Sequence, residues 1–261
     1  MCAVYGIEVR DDAADPAIDG GGTGSAARPS RVRFRPAEEF GVSPRDALSV
    51  ERMLGAWVAE HDGVARITGR KARNLNPVIV PRAEYASPAP AAPPATGTHR
   101  VPRELVLGWW WLHVGGEPAA YSAFNSRDDQ LLRSWRQAFQ RRAILPATWY
   151  VEKGRTFELP GGAPFGIAAI TAVSPQPDGS ELLSYSMVTR DAVGEARSAH
   201  PRMPLVLPRE FHDDWLDPAR PGDADLVAEV VLASAGLARA MRPRVGGGGA
   251  RRAPSAQPTL F

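Results

Sequence analysis

Residues 143–151 read AILPATWYV, and residues 165–173 read FGIAAITAV. Two more apolar runs follow, LLSYSMVT at residues 182–189 and PLVL at residues 204–207. Clusters of Gly, Pro, Asp or Ser bound these runs, which is the pattern of short β-strands. The sequence therefore predicts a β-sheet in this part of the chain.

Apolar residues at helical spacing lie on both sides of these strands. Ser43-Pro44 forms a helix start, and the positions after it predict an amphipathic helix to about His61. Similar patterns predict helices from Leu131 to about Arg142, from Arg209 to Leu216 and from Ala224 to Met241. Residues 1–10 read as a short strand. Because helices and strands are segregated along the chain, we expect an α+β fold with a curved, barrel-like, mainly antiparallel sheet flanked by helices.

The length of 261 residues is enough for one substantial core. We expect a single domain over residues 1–245, with loop insertions near residues 11–30 and 82–98 that are rich in Gly, Ala, Pro and Asp. Residues 246–261 begin with four glycines and continue with a polar segment that contains arginine. We expect this tail to be disordered until a partner binds it.

The composition is that of an ordinary soluble globular protein, with 44% hydrophobic and 23% charged residues. Neither an uninterrupted apolar run of membrane-spanning length nor a secretory signal is recognisable, so we expect a cytoplasmic, nucleoid-associated protein. The net charge of +2 permits nucleic-acid binding without establishing it. Lys71 and Lys153 are the only lysines, so nearly every positively charged side chain is an arginine. A guanidinium can bind phosphate through two parallel hydrogen bonds. A GC-rich genome explains the same arginine bias equally well.

The single cysteine stands at position 2, which excludes an intramolecular disulfide and a cysteine-based zinc site. Removal of Met1 would leave Cys2 with an α-amine and a thiol on adjacent carbons, with reference pKa values of about 7.7–8.0 and about 8.5. Such an aminothiol reacts with an aldehyde to give an imine and then a thiazolidine ring. The ring-opened sugar of an abasic site is such an aldehyde. A coincidental small residue near the start is the alternative interpretation.

Several short motifs, in order along the chain, resemble those of one protein family. They are Met1-Cys2 followed by Tyr5, Asn74-Leu75-Asn76-Pro77, Asn125-Ser126-Arg127, Arg142 to Ala147 leading to Glu152, His200-Pro201-Arg202-Met203-Pro204, and Trp215-Leu216-Asp217-Pro218. The set is similar to the SOS-response-associated peptidase (SRAP) family, which includes abasic-site crosslinking proteins. The resemblance extends over most of residues 1–218.

The resemblance implies roles for particular residues. Cys2 matches the crosslinking nucleophile, Glu152 a catalytic carboxylate, His200 a proton donor to the sugar oxygen, and Asn125 an active-site amide. Arg127, Thr189, Arg202 and Trp110 match DNA-binding positions, with Trp110 as a base-stacking aromatic within the run Trp109-Trp110-Trp111. No metal or organic cofactor is implied. The expected function is covalent capture of abasic sites in single-stranded DNA, with self-processing peptidase activity.

The chain also departs from the family pattern. Ala3-Val4 stands where the family has Gly-Arg, Thr148-Trp149 replaces Asp-Gly, and Lys153 replaces a tryptophan. The loss of a cation beside the nucleophile keeps open a divergent DNA-binding or clamp-associated adaptor that does not crosslink. A third class, an N-terminal-nucleophile amide hydrolase, would share a reactive Cys2 but needs none of the downstream motifs.

The last five residues resemble the peptide that bacterial repair and replication proteins insert into the DNA polymerase sliding clamp. Gln257, Leu260 and Phe261 occupy the positions that match a Gln-x-x-Leu-Phe motif. The preceding glycine-rich segment provides a linker. We therefore expect the sliding clamp as a second partner, beside single-stranded DNA with abasic sites, while a chance match of a short motif is the alternative.

Overall fold

The computed structural model describes residues 2–8, 39–42, 47–82 and 100–244. Residues 11–30 and 83–98 of the predicted insertions lie outside these ranges, as do Ser43-Pro44 and the tail with Gln257, Leu260 and Phe261. The interpretations of these segments, and the domain boundary at residue 245, stay predictions.

The strands are short at the start of the chain and longest near its middle. In chain order they are β1 Val4–Gly6, β2 Val64–Arg66, β3 Leu75–Pro81, β4 Arg103–Trp109, β5 His113–Val114, β6 Glu117–Pro118, β7 Asn125–Arg127, β8 Arg142–Ala147, β9 Trp149–Glu152, β10 Arg155–Glu158, β11 Phe165–Pro175, β12 Glu181–Asp191, β13 Arg202–Pro204, β14 Val206–Leu207 and β15 Arg242–Pro243. The α-helices are α1 Ala47–His61, α2 Leu131–Ser134, α3 His212–Leu216 and α4 Ala224–Ala240.

The larger sheet closes on itself. Its strands pair in the order β12-β4-β3-β8-β11, and β11 pairs in turn with β12. The ring is antiparallel except where β12 meets β4 in parallel. The closing pair is a long ladder, from Ala169↔Met187 to Pro175↔Glu181, equal in length to that between β3 and β4. The prediction of an α+β fold with a barrel-like, mainly antiparallel sheet is confirmed.

A second sheet, in the order β15-β10-β9-β1-β2, carries the start of the chain in an interior position. Val4 pairs with Arg66 of β2 on one side and with Val151 of β9 on the other. Gly6 allows this close approach, because a Cβ there would lie 2.3 Å from Trp149 Cζ2 and 2.6 Å from the Gly63 carbonyl oxygen. β1 is therefore fixed on both edges.

Thr148 joins the two sheets. Its backbone N–H donates to the Gly6 carbonyl at 2.8 Å, and its Oγ1 accepts from the Glu8 N–H at 2.7 Å. The chain leaves the barrel at Ala147 and enters the second sheet at Trp149. The single strand predicted for residues 143–151 is therefore two strands of two sheets.

Aromatic side chains fill the space between the barrel and β1. Tyr5 meets the edge of Trp110 at 5.0 Å between ring centroids, and Trp110 stacks on Tyr185 at 6.0 Å. The hydroxyls of Tyr5 and Tyr185 are 2.8 Å apart and hydrogen-bonded. Each buried side chain of this size contributes about 1.5–3 kcal/mol or more, so the cluster anchors β1 on the barrel.

The helices differ from one another in regularity. The Asp223 side chain caps α4 by accepting from the Leu226 N–H at 3.0 Å, and the helix packs against β14. The continuous helix predicted from Leu131 to Arg142 is instead one α-helical turn flanked by 3₁₀ turns, although Leu131 and Phe139 are buried as the pattern predicts. Within the described residues, no helix combines the length and apolarity needed to span a membrane.

Candidate active site

Cys2 lies immediately before β1 and is only 1% exposed. Its thiol donates to the Val4 carbonyl oxygen at 3.3 Å. Burial raises the pKa of the thiol to about 12, opposed by the backbone hydrogen bond with Val4 and reinforced by the negative charge of Glu152. The folded chain therefore holds Cys2 as a protonated thiol at neutral pH.

Asn125 begins β7 and reaches across to Cys2. Its Nδ2 donates to the Cys2 carbonyl oxygen at 2.6 Å. The parallel pairing Asn125↔Met187 places it on the flank of β12. Its Oδ1 is buried and has no hydrogen-bond partner among the residues described. The amide therefore fixes the Cys2 backbone and presents one further acceptor beside it.

Glu152 and His200 form the acid–base part of the cluster. Glu152 ends β9, is 3% exposed, and has its Oε1 4.0 Å from His200 Nδ1. His200 Nδ1 lies 3.0 Å from the Arg202 backbone nitrogen and 3.1 Å from the Arg202 carbonyl oxygen, so it accepts from the first or donates to the second according to the tautomer. The Arg202 backbone thus orients the imidazole beside the Glu152 carboxylate.

The structure thus brings together the Cys2, Asn125, Glu152 and His200 side chains that the sequence singles out. They come from the start of β1, from β7, from the end of β9 and from the turn before β13. A thiol, a carboxylate and an imidazole in one largely buried cluster can pass protons to and from a molecule bound at Cys2.

Arg202 holds this cluster in place and is itself largely buried. Its guanidinium donates to the Asp128 carboxylate, to the Thr189 carbonyl and, at 2.6 Å, to Asp191 Oδ1. These bonds tie the turn that carries His200 to β12 and to the segment after β7. The Thr189 side chain is also buried, with its Oγ1 3.5 Å from the Ser126 carbonyl. Both residues were predicted to contact DNA, but neither side chain presents a free surface for it.

Arg127, the third predicted DNA contact, does reach the surface. Its side chain is 54% exposed and pairs with Asp129 through hydrogen bonds of 2.9 and 2.6 Å. An exposed ion pair of this kind contributes little to stability. A phosphate can therefore replace Asp129 as its partner at small cost.

Trp110 requires a correction. It is 1% exposed, its indole N–H donates to the Phe124 carbonyl at 2.7 Å, and Tyr5 and Tyr185 pack against it. No face of the ring is left for a nucleobase, so the predicted stacking role does not hold. Its neighbour Trp111 is half-buried and contacts Phe124, next to Asn125 in the chain, at 5.8 Å between centroids.

Tyr150 is a residue of this cluster that the sequence analysis misses. It lies two residues before Glu152 on β9, on the same buried face, and pairs with Tyr5 across the sheet. Burial raises the pKa of its hydroxyl, and the neighbouring ionisable groups of Cys2 and Glu152 raise it further. The strand alternation that places Tyr150 beside Glu152 is the signal that could have revealed it.

No three His, Cys, Asp or Glu side chains are grouped as a metal site requires within the described ranges.

Comparison with known proteins places the chain in a family. The model of the family described as SOS response associated peptidase (SRAP) matches residues 70–243. The chain belongs to the SRAP family. This membership makes it a DNA-damage-associated, peptidase-like protein. The match contains Asn125, Glu152 and His200, while Cys2 precedes it and is brought to it by the pairing of β1 with β9.

Solved structures share the SRAP fold of this chain. A protein from Bordetella bronchiseptica is 20% identical with a TM-score of 0.52, over 85% of this chain and 90% of that one. A protein from Bacteroides thetaiotaomicron is 18% identical with a TM-score of 0.52, over 75% of this chain and 81% of that one. Both are structural genomics targets, and at this identity the likeness shows the fold alone. No match was found among curated proteins.

Proposed function

We propose that this SRAP protein captures abasic sites in single-stranded DNA by forming a thiazolidine through Cys2, and so protects the lesions at replication forks. The observation that supports this best is the 2.6 Å hydrogen bond from Asn125 to the Cys2 carbonyl, which holds Cys2 within the Glu152–His200 cluster. The proposal requires removal of Met1, and SRAP membership supports a self-processing peptidase activity that performs it.

The raised pKa of the thiol determines which of the two nucleophiles of Cys2 reacts first. Because the Cys2 thiol stays protonated at neutral pH, the α-amine is the first nucleophile. The amine nitrogen adds to C1 of the ring-opened sugar and gives a carbinolamine. Loss of the C1 hydroxyl as water, with a proton from His200, then gives the protonated imine, and return of the nitrogen proton to His200 gives the neutral imine.

The thiol acts in the second step. Sulfur bonds to the imine carbon, the C=N electron pair moves to nitrogen, and the thiol proton reaches that nitrogen through the Glu152 carboxylate. The net change is the loss of one water, and neither an oxidant nor a reductant is consumed. Glu152 suits this transfer because its charge already acts on the thiol.

DNA would approach along the exposed side of the cluster. Arg127 offers an exposed guanidinium for a phosphate beside the lesion, and Trp111 with Phe124 offers the aromatic surface next to Asn125. In this proposal Trp111 takes the stacking role that the sequence analysis gave to Trp110. A stacked base contributes roughly 1–3 kcal/mol.

The test is a single-turnover crosslinking assay. Mature protein and an abasic oligonucleotide should give a heat-stable, shifted band, and an oligonucleotide with a tetrahydrofuran site, which has no aldehyde, should give none. Cys2→Ser should leave at most an imine that borohydride traps. Glu152→Gln and His200→Ala should slow the reaction by about 10²–10⁴-fold while the fold is retained.

Intact-mass analysis supplies the control for Met1 removal. Protein that retains Met1 and still forms the heat-stable band would contradict the thiazolidine chemistry. Mature wild-type protein that forms no band with the abasic oligonucleotide would support the non-crosslinking adaptor.

A further inference from the structure

The Tyr150 hydroxyl is a buried polar group, and the packing of the tyrosine ring gives no reason for a hydroxyl at this position. The ring stacks on Phe157 with centroids 5.3 Å apart and an interplanar angle of 15°. The hydroxyl oxygen is buried, yet among the described residues it has no hydrogen-bond partner. A phenylalanine would keep the stacking and avoid burying the hydroxyl, whose unsatisfied desolvation is destabilising.

The position of this hydroxyl points to the reaction centre. Tyr150 and Glu152 alternate with the half-buried Trp149 and Val151, so both project from the inward face of β9. The ionisable groups that interact electrostatically with the hydroxyl are first Cys2 and then Glu152. Asn125 Oδ1, also without a partner among the described residues, belongs to the amide that donates to the Cys2 carbonyl oxygen. A buried donor and a buried acceptor near Cys2 are thus both without a partner in the part of the chain that the structure describes.

The chemistry of the hydroxyl limits what it can do. With the pKa raised first by burial and further by the negative charge of Glu152, the phenol keeps its proton throughout the physiological range. Tyr150 is therefore a fixed hydrogen-bond donor and does not act as a base or a proton carrier.

We propose that Tyr150 is a further catalytic residue, whose hydroxyl donates a hydrogen bond to the C1 oxygen of the abasic sugar as that oxygen leaves as water. This inference rests on the proposed function. The departing oxygen takes its proton from His200, the C–O bond breaks, and the nitrogen lone pair forms the C=N bond. Tyr150 stabilises the charge that develops on the oxygen and keeps its own proton.

The test compares Tyr150→Phe with wild type in single-turnover crosslinking of an abasic oligonucleotide. We expect the rate at saturating DNA to fall roughly tenfold or more, because a hydrogen bond made in the transition state is lost. The DNA concentration at half-saturation should stay within twofold. The melting temperature should equal or exceed that of wild type, since an unsatisfied buried hydroxyl is removed. A purely structural role would not combine slower chemistry with undiminished stability.

Tyr121→Phe is the matched control, because Tyr121 is 54% exposed and lies outside the cluster. Its crosslinking rate should equal that of wild type. A Tyr150→Phe rate within twofold of an active wild type would overturn the role of Tyr150 and leave the proposed function intact. A lower melting temperature for Tyr150→Phe would also overturn it, since the hydroxyl would then have a structural partner. An inactive wild type would overturn the proposed function, and this inference with it.

Discussion

At Cys2, the same burial that protects the thiol also removes its charge. The side chain is 1% exposed, and its pKa is about 12 instead of the ordinary 9.0. At pH 8 such a thiol holds roughly a thousandth of the thiolate of an ordinary cysteine. The residue is thus shielded from soluble electrophiles. Under the proposed function, the thiol reacts only after an aldehyde has bound to the neighbouring amine.

We predict that iodoacetamide alkylates Cys2 of the folded protein at least roughly a hundredfold more slowly at pH 8 than Cys2 of the chain unfolded in urea. The folded rate should still be rising at pH 10, whereas that of the unfolded chain levels off near its ordinary pKa of 9.0. Glu152→Gln should raise the folded rate, because one source of the pKa elevation is removed. A folded rate that levels off near pH 9 would contradict the buried, neutral thiol.

The sequence predicts the polar members of the cluster better than the aromatic ones. Cys2, Asn125, Glu152 and His200, which the structure brings together, were singled out because they occur in short motifs. Trp110 was assigned to DNA and Tyr150 was passed over, since the sequence does not tell a stacking surface from a packed core. For an aromatic side chain, that difference depends on what lies opposite, here Tyr5 for both residues.

At the scale of elements, the turn before β13 is held by one arginine. Arg202 spans from this turn to Asp128 and Asp191, while Arg127 on β7 is paired only near the surface. Both residues were predicted to bind DNA. The two arginines therefore give a direct comparison between a buried, architectural guanidinium and an exposed one.

We predict that Arg202→Ala lowers the free energy of unfolding by about 3–5 kcal/mol, because Asp128 loses the cation that compensates its largely buried charge. It should also slow crosslinking, because His200 is no longer fixed. Arg127→Ala should change stability by less than about 1 kcal/mol, yet weaken binding to undamaged single strands and reduce the slope of that binding with salt. Urea unfolding and binding titrations at several salt concentrations check both. Equal stability of the two variants would contradict the assignment.

Elements with a strong pattern were predicted, and elements shaped by tertiary contacts were not. The apolar runs of β11 and β12 and the periodicity of α4 identified them correctly. β3 was missed because Pro77 and Pro81 make it read as a loop, although Pro77 sits inside the barrel ladder opposite Leu107. The division at Thr148 depends on hydrogen bonds to Gly6 and Glu8, which lie far away in the chain.

At the scale of the whole molecule, a buried histidine links stability to pH. His212 at the start of α3 stacks on Phe40 with centroids 5.4 Å apart. Burial, together with the positive charge of Arg103, lowers its pKa from 6.5 to about 4. The folded protein thus excludes the protonated imidazole, while the unfolded chain accepts it. The contribution of His212 is complete above pH 6.5 and is lost as pH falls towards 4.

We predict that the free energy of unfolding falls by about 1.4 kcal/mol per pH unit from this group, or about 3 kcal/mol in all, between pH 6.5 and pH 4. His212→Phe should remove most of this decline while keeping the stacking on Phe40. A smaller decline in the same direction should remain, because burial lowers the pKa of His113 as well. Urea titrations at intervals of half a pH unit measure it, and identical slopes in the variant and wild type would contradict the role of His212.

The interior position of β1 determines how long the N-terminus stays accessible while the chain is being synthesised. Its partners in the second sheet are residues 64–66 and 149–151, so the first residues cannot dock until more than half of the chain has left the ribosome. At about 5–20 residues per second, that interval lasts roughly 8–30 s. Under the proposed function, an aminopeptidase has this period to remove Met1 from an extended, accessible nascent chain. Docking then ends its access, because it draws Cys2 into the interior. A chain that still carries Met1 when β1 docks would then depend on the protein's own peptidase activity to expose the Cys2 amine.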